Sequence, residues 1–320
     1  MPGPLRIDDV NGELLGGIEA GGTKIVCAVA DARGVILEHV RIPTGDDAEA
    51  TMMAVISFFH EAQRRRGRLS ALGVGSFGPL SLNPVAVDFG TITATSKPGW
   101  SGMDLLTPLR QSLGVPLALD TDVNCAAIAE MLFGAGRGLD SLCYVTIGTG
   151  VGVGAIVNGV PFGGNNHLEA GHMLLRRARL DVDFAGICPF HGDCAEGLAS
   201  GHAMHARWGR PAEELPADHP GWEIEAEYVA TICANLTYSL RPERIVLGGG
   251  VMEYPGIVER VAQRYPQVIA GYDREASMRD ARNYITRPGM GSRAGIYGAL
   301  VSAHRAAHGA WPTDWVISRD

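Results

Sequence analysis

The tightest constraint on this chain is a set of three metal ligands within seven residues. Cys188, His191 and Cys194 are spaced C-x2-H-x2-C, with Pro189 and Gly192 between them. His172 lies upstream, directly after Glu169-Ala-Gly. Two thiolates and two imidazoles make a tetrahedral zinc set, and no redox metal is indicated. One tight turn can present three of these ligands, and a separate element must return the fourth. The plain alternative is two reduced cysteines and two loop histidines without metal; the Pro, the Gly and the close spacing favour the ion. Glu169 and Glu196 flank the set. A metal clip would hold such carboxylates rigidly. Carboxylates accept hydrogen bonds from hydroxyl groups, so a polyol or sugar is the natural partner. Taken singly, both would read as solvated surface acids.

The 320 residues allow one large or two medium domains, and 46% hydrophobic residues supply a sizeable core. A formal net charge of −8 argues against a nucleic-acid partner. The six cysteines are too irregularly spaced for a disulfide framework. Cys27, Cys125, Cys143 and Cys233 sit in apolar runs and read as small core residues. Reduced thiols beside a metal clip point to the cytoplasm. Residues 1–12 read as a loosely packed lead-in without the apolar stretch of a signal peptide. No run reaches the ~18 apolar residues of a membrane span.

Strand-like Leu14–Glu19, a turn over Ala20-Gly21-Gly22-Thr23-Lys24 and strand-like Ile25–Ala30 form a glycine hairpin. The order G-T-K followed by a strand excludes a P-loop. Exposed backbone N–H groups, a hydroxyl and a lysine can still cradle phosphate, though the stretch could equally be an ordinary hairpin. Leu142–Ile147, Gly148-Thr149-Gly150-Val151-Gly152 and Ala155–Val157 repeat the form, which suggests a duplicated phosphate clamp. Gly73, Gly75 and Gly78 spell GxGxxG, but Pro79 follows and no helix opens, so a dinucleotide fingerprint is discarded. Further strands are expected over 35–42, 71–74, 115–119 and 244–247. Helices are expected over 47–66, 104–114, 125–133, 197–208, 222–240, from 254, and over 291–307. After the fifth strand, Asp120-Thr121-Asp122-Val123-Asn124 holds two acids and an amide where one would cap the helix. That excess makes Asp122 a candidate general base. Lys97 and Trp100 lie in a polar loop that is either a sugar contact or a connection. Gly248-Gly249-Gly250, directly after a buried strand, permits close approach of a flat ligand.

With these pieces placed, the chain resembles the ROK family of bacterial sugar kinases from about Gly16 to about Ala307. The resemblance is carried by GIEAGGTK (17–24), LDTDVN (119–124), IGTGVGVG (147–154), LEAGH (168–172), CPFHGDCAEG (188–197) and VLGGG (246–250). Within the family, EAGGTK, TSKPGW and the C-x2-H-x2-C form look most like the fructokinase branch. The resemblance implies an α/β, two-domain actin/hexokinase/Hsp70-like (ribonuclease H-like) fold with an interdomain cleft. An N-terminal α/β domain would span 14–120 and a larger one with the zinc loop 121–302, with a helix at about 303–320 packing back onto the first.

It implies ATP, Mg2+ and a structural Zn2+ on His172, Cys188, His191 and Cys194. Gly17, Glu19, Gly21, Gly22, Thr23 and Lys24 would hold the ATP phosphates together with Thr146, Gly148, Thr149, Gly150 and Gly152. Gly248, Gly249 and Gly250 would lie under the adenosine. Asp122 would be the catalytic base. Glu169, His172 and Glu196 would bind the hexose, with Lys97 and Asn124 as further contacts. The implied activity is phosphorylation of D-fructose to D-fructose 6-phosphate by a cytoplasmic homodimer with no nucleic-acid or membrane partner. The alternatives are a kinase for mannose, glucose or N-acetylmannosamine, and a non-catalytic sugar sensor. Repressors of the same family carry a helix-turn-helix domain ahead of the first hairpin, where only about sixteen residues stand here. Two departures stand out. Glu19 replaces the Asp of many members, and Thr121 replaces an Asn that could orient the sugar.

Overall fold

A computed structural model of the chain describes residues 12–163, 166–273 and 280–317. The lead-in expected over residues 1–12 lies outside these, save for Gly12. The strands are β1 (Leu14–Ala20), β2 (Lys24–Asp31), β3 (Ile36–Pro43), β4 (Leu69–Ser76), β5 (Leu117–Thr121), β6 (Leu142–Ile147), β7 (Val151–Val157), β8 (Val160–Pro161), β9 (Arg244–Gly248) and β10 (Ile285–Thr286). The helices are α1 (Ala48–Arg66), α2 (Leu106–Leu113), α3 (Asp122–Phe133), α4 (Ala195–Ala199), α5 (Gly201–Trp208), α6 (Gly221–Leu240), α7 (Ile257–Ile269), α8 (Ala281–Tyr284) and α9 (Ala294–His308). The chain divides into two compact units. One comprises residues 1–129, 163–167 and 293–320, and the other 130–162 and 168–292.

The first unit is built on a sheet of order β3-β2-β1-β4-β5. β1 pairs antiparallel with β2 and parallel with β4. Its central place explains why nearly every β1 residue is buried, whereas edge strand β3 alternates with solvent. Small residues let α9 lie close on this sheet. A Cβ on Gly73 would overlap the Ala299 backbone, and one on Gly17 would reach Leu300 at 2.9 Å. Two of the GxGxxG glycines are packing positions: Gly73 faces α9, and a Cβ on Gly75 would meet Cys125 Sγ at 2.8 Å. Phe59, Leu15, Ile25 and Leu72 fill the core with no measurable exposure. Truncating Phe59 to Ala would cost about 3–5 kcal/mol. Asp47 caps α1 by accepting the Ala50 N–H, and Gly67 closes the other end. Arg65 and Arg66, in the last turn of α1, pair with Glu38.

The second unit is built on a sheet of order β10-β9-β6-β7-β8, with β6 parallel to β9 and antiparallel to β7. Trp222, Tyr228 and Tyr265 are its largest buried side chains. The single helix expected over 197–208 is two helices. Ser200 breaks the run, its hydroxyl accepting the Ala203 N–H as the cap of α5. The helix expected from 254 starts at Ile257, after a 3-10 turn at Gly250–Glu253. The last helix ends at His308 on left-handed Gly309. Residues 309–317, within the stretch expected to be helical to about 320, are not helical. Trp315 Nε1 there donates to Ala32 O, and its ring packs on Gly34. Among the described residues, no helix is long and apolar enough to cross a membrane.

Candidate functional site

His172, Cys188, His191 and Cys194 come together in the second unit, with one ligand atom from each inside a 4.8 Å sphere of mutual separation. Nδ1 of His172 lies 3.5 Å from Cys194 Sγ and 3.7 Å from Cys188 Sγ, and Nδ1 of His191 lies 3.6 Å from Cys188 Sγ. Tetrahedral zinc at ordinary Zn–S and Zn–N bond lengths separates its ligands by about 3.4–3.8 Å. The donor set therefore fits zinc in chemistry and in spacing. A reciprocal Cys188–Gly192 backbone pair makes the turn, with Gly192 at φ 67°. His172 arrives on a separate 3-10 turn, Ala170–His172, and the Leu174–Cys194 bridge ties the two pieces. Burial, and then the Cys188 thiol beside it, pushes the Cys194 thiol up to about 11. A bound dication would reverse that and hold both sulfurs as thiolates.

Next to this cluster, three motifs meet at one residue, Val151, the first of β7. Its N–H donates to Glu196 Oε2 at 3.1 Å. A Cβ on Gly171 would overlap its carbonyl, so the Glu169–His172 turn packs directly upon it. Gly150 precedes it, and a Cβ there would stand 2.5 Å from Glu196 Oε2. The hairpin is closed by Gly148 N–H to Gly150 O, and Gly201 N–H donates to Gly148 O at 2.7 Å. A Cβ on Gly148 would lie 4.0 Å from Gly250 N, which brings the glycine triplet beside the hairpin. Gly248 is packed under Tyr144, and Gly249, at φ 89°, against the Ile147 backbone. Thr146 pairs across the sheet with Gly152 and Gly248, and Thr149 is exposed at the tip.

In the first unit the β1–β2 hairpin carries Gly21, Gly22, Thr23 and Lys24, with Thr23 and Lys24 exposed. Thr44 braces it by donating its hydroxyl to Gly21 O at 2.8 Å. Glu19 points from β1 toward the start of α9, where its carboxylate packs against Gly295 and faces the Ile296 N–H. A helix N-terminus favours such a charge. Burial, then nearby Asp122, outweigh Lys24, that N–H and Arg41, and raise the Glu19 carboxyl to about 7. Asp122 opens α3, half-buried, and its Oδ1 accepts the Val123 N–H. Thr121 Oγ1 accepts the Asn124 N–H at 3.1 Å, which makes Thr121 the cap of α3. Asn124 is 4% exposed and donates its side-chain amide to Asp120 at 2.7 Å. Lys97 is paired with Asp46 at 3.3 Å. The sugar contacts expected of Lys97 and Asn124 thus fall on side chains already engaged within the protein.

Sequence reading missed two backbone donors, the N–H groups of Val151 and Ile296. Each receives a carboxylate from a distant element, so no local pattern announces it. The Ser200 cap was missed as well, and the Ser-Gly pair inside the expected helix over 197–208 is the signal that could have found it.

Comparison with known proteins shows the family. A family model described as the ROK family matches residues 15–306. A fructokinase-named protein of Bacillus subtilis is 45% identical over 294 residues, 92% of this chain and 96% of its own length. The fructokinase of Pediococcus pentosaceus is 40% identical over 93% of this chain and all of its own. The crystal structure of a ROK hexokinase from Thermus thermophilus superposes with a TM-score of 0.73 at 28% identity, covering 93% of this chain and 100% of that one.

Proposed function

The chain belongs to the ROK family, and on that premise we propose that it is an ATP-dependent fructokinase. It transfers the γ-phosphoryl group of ATP to the primary hydroxyl of D-fructose, giving ADP and D-fructose 6-phosphate. Fructose is favoured because relatives at 45% and 40% identity over most of the chain carry the fructokinase name. The carrying structural observation is the meeting at Val151 of the second glycine hairpin, the Glu169–His172 turn and Glu196. Phosphoryl transfer needs an acceptor hydroxyl held next to the phosphate cradle. That meeting supplies hydroxyl acceptors and backbone N–H donors side by side.

In this reading Glu169, Glu196 and the Nε2 of His172 hold the sugar hydroxyls, while His172 Nδ1 faces the two sulfurs. The turns at Gly21–Lys24 and Gly148–Gly152 hold the phosphates, and Gly248–Gly250 underlie the adenosine. Asp122 accepts the proton of the attacking hydroxyl. Magnesium, when bound with the nucleotide, neutralises phosphate charge, and Glu19 would hold it. His172, Cys188, His191 and Cys194 would hold zinc, which would take no part at the reacting atoms and would steady the loop. Cytoplasmic location belongs to the same proposal, since six free thiols and an ATP requirement suit that compartment. So does a homodimer, which the family resemblance suggests.

The test is a coupled ADP assay with fructose on the wild type and on Asp122→Asn. Loss of the base should lower kcat by about 10²–10⁴-fold while calorimetry still detects fructose binding. Wild-type turnover in the variant would remove Asp122 from its role.

A further inference from the structure

The loop from Met173 to Ile187 joins two zinc-set ligands, His172 and Cys188, yet its middle is fastened without them. Asp181 is 6% exposed. It accepts the Arg207 Nε–H at 2.9 Å and the Tyr228 hydroxyl at 2.7 Å. The side chains of Arg207 and Asp181 are each only 5% exposed. The Arg207 guanidinium lies 4.2 Å over the Phe184 ring, and its Nη2 donates to Leu198 O at 2.7 Å. Leu198 belongs to α4, two residues beyond Glu196. One guanidinium therefore grips both the loop and the helix that bears Glu196. Arg177 reinforces the loop by donating to Asp181 O at 3.3 Å and to Phe184 O, and by pairing with Asp193 next to Cys194. Glu225 is buried close by, and among the described residues neither of its oxygens has a hydrogen-bond partner. Burial, against the pull of Arg207, raises its carboxyl well above the usual carboxylate range, and Asp181 is the carboxylate that Arg207 pairs with.

We propose that Arg207 is a positioning residue for Glu196, tying Asp181 and Leu198 together as a second fastening that acts in parallel with the metal cluster. The inference rests on Glu196 being a sugar ligand, as proposed above. The metal ligands fix the ends of the loop, and the Arg207 knot fixes its middle. Either fastening alone retains part of the geometry, so the two should be coupled rather than additive. A lysine could keep the Asp181 pair but not reach Leu198 O as well, because it lacks the planar fork.

The experiment compares wild type, Arg207→Met and Arg207→Lys, zinc-loaded and chelated. It reads fructose and ATP KM, kcat, zinc content, and amide exchange over residues 173–187. Arg207→Met should keep its zinc, raise fructose KM about tenfold and leave ATP KM unchanged, with faster exchange in the loop. Arg207→Lys should keep loop protection but still raise fructose KM. Chelating Arg207→Met should weaken fructose by more than the product of the two separate losses. Equal effects on fructose and ATP, zinc loss on mutation alone, or strictly multiplicative losses would overturn the proposal. Should Arg207→Met not fold, Tyr228→Phe removes one bond to Asp181 and reads the same quantities. Should the wild type phosphorylate no sugar, the functional reading fails, and unchanged loop exchange in Arg207→Met would separately refute the fastening.

Discussion

Each glycine hairpin is accompanied by one carboxylate, and the two are held in opposite ways. In the first unit Glu19 stands in the hairpin's own strand and packs against the N-terminus of α9. The turn itself stays open: a Cβ on Gly22 would meet nothing within 4 Å, and Thr23 and Lys24 are exposed. In the second unit the carboxylate comes from α4. Glu196 presses on Gly150 and accepts the Val151 N–H, and Gly201 closes the other side at Gly148. Two similar sequence patterns thus give an open cationic turn and a walled one. A glycine that looks like freedom in the first is a close-packing requirement in the second.

That contrast can be broken at four points. The largest effect is electrostatic. The Glu19 carboxyl is raised from 4.5 to about 7. Its contribution to stability is thus fully present below pH 4.5 and is lost as pH rises through 7. Without nucleotide or Mg2+, Glu19→Gln should gain on the wild type by up to about 3 kcal/mol across that window, read by denaturant unfolding. A pH-independent difference would mean that Glu19 is not buried against α9. Next is Gly150→Ala, which must expel the Glu196 carboxylate. Loss of a charged hydrogen bond predicts a fructose KM about thirtyfold higher, while an unchanged KM would detach Glu196 from the sugar. Zinc removal should follow, costing about tenfold in fructose kcat/KM and leaving ATP KM alone, because both turns proposed to hold the phosphates lie outside the Met173–Ile187 loop. Smallest is Gly22→Ala in the open turn, where ATP KM should change by less than about twofold. A large effect there would show that the phosphate approaches Gly22 closely.

Much of this was legible in the sequence because the relevant contacts are local. Strands β1, β2, β6 and β7 announce themselves as β-type runs between glycine turns. The Cys/His cluster was readable because three of its four residues lie within one turn. The expected helix over 47–66 nearly matches α1, whose caps Asp47 and Gly67 border the run itself. What stayed hidden depends on distant partners. Nothing near Lys97 reveals Asp46, and nothing near Asn124 shows that its amide turns back to Asp120 while Thr121 caps the helix. The longer side chain of Glu19 makes sense only once Ile296 is seen beside it. Arg207 reads as a surface arginine until Asp181 and Phe184 are found enclosing it.

The central claim is that this chain phosphorylates fructose. The most direct measurement is kcat/KM in one coupled assay for fructose, mannose, glucose and N-acetylmannosamine with ATP. The account predicts fructose highest by more than about tenfold, the discrimination expected when a site pairs its buried polar groups with specific hydroxyls. A higher value for any of the other three, or no sugar-dependent ADP release at all, would contradict it.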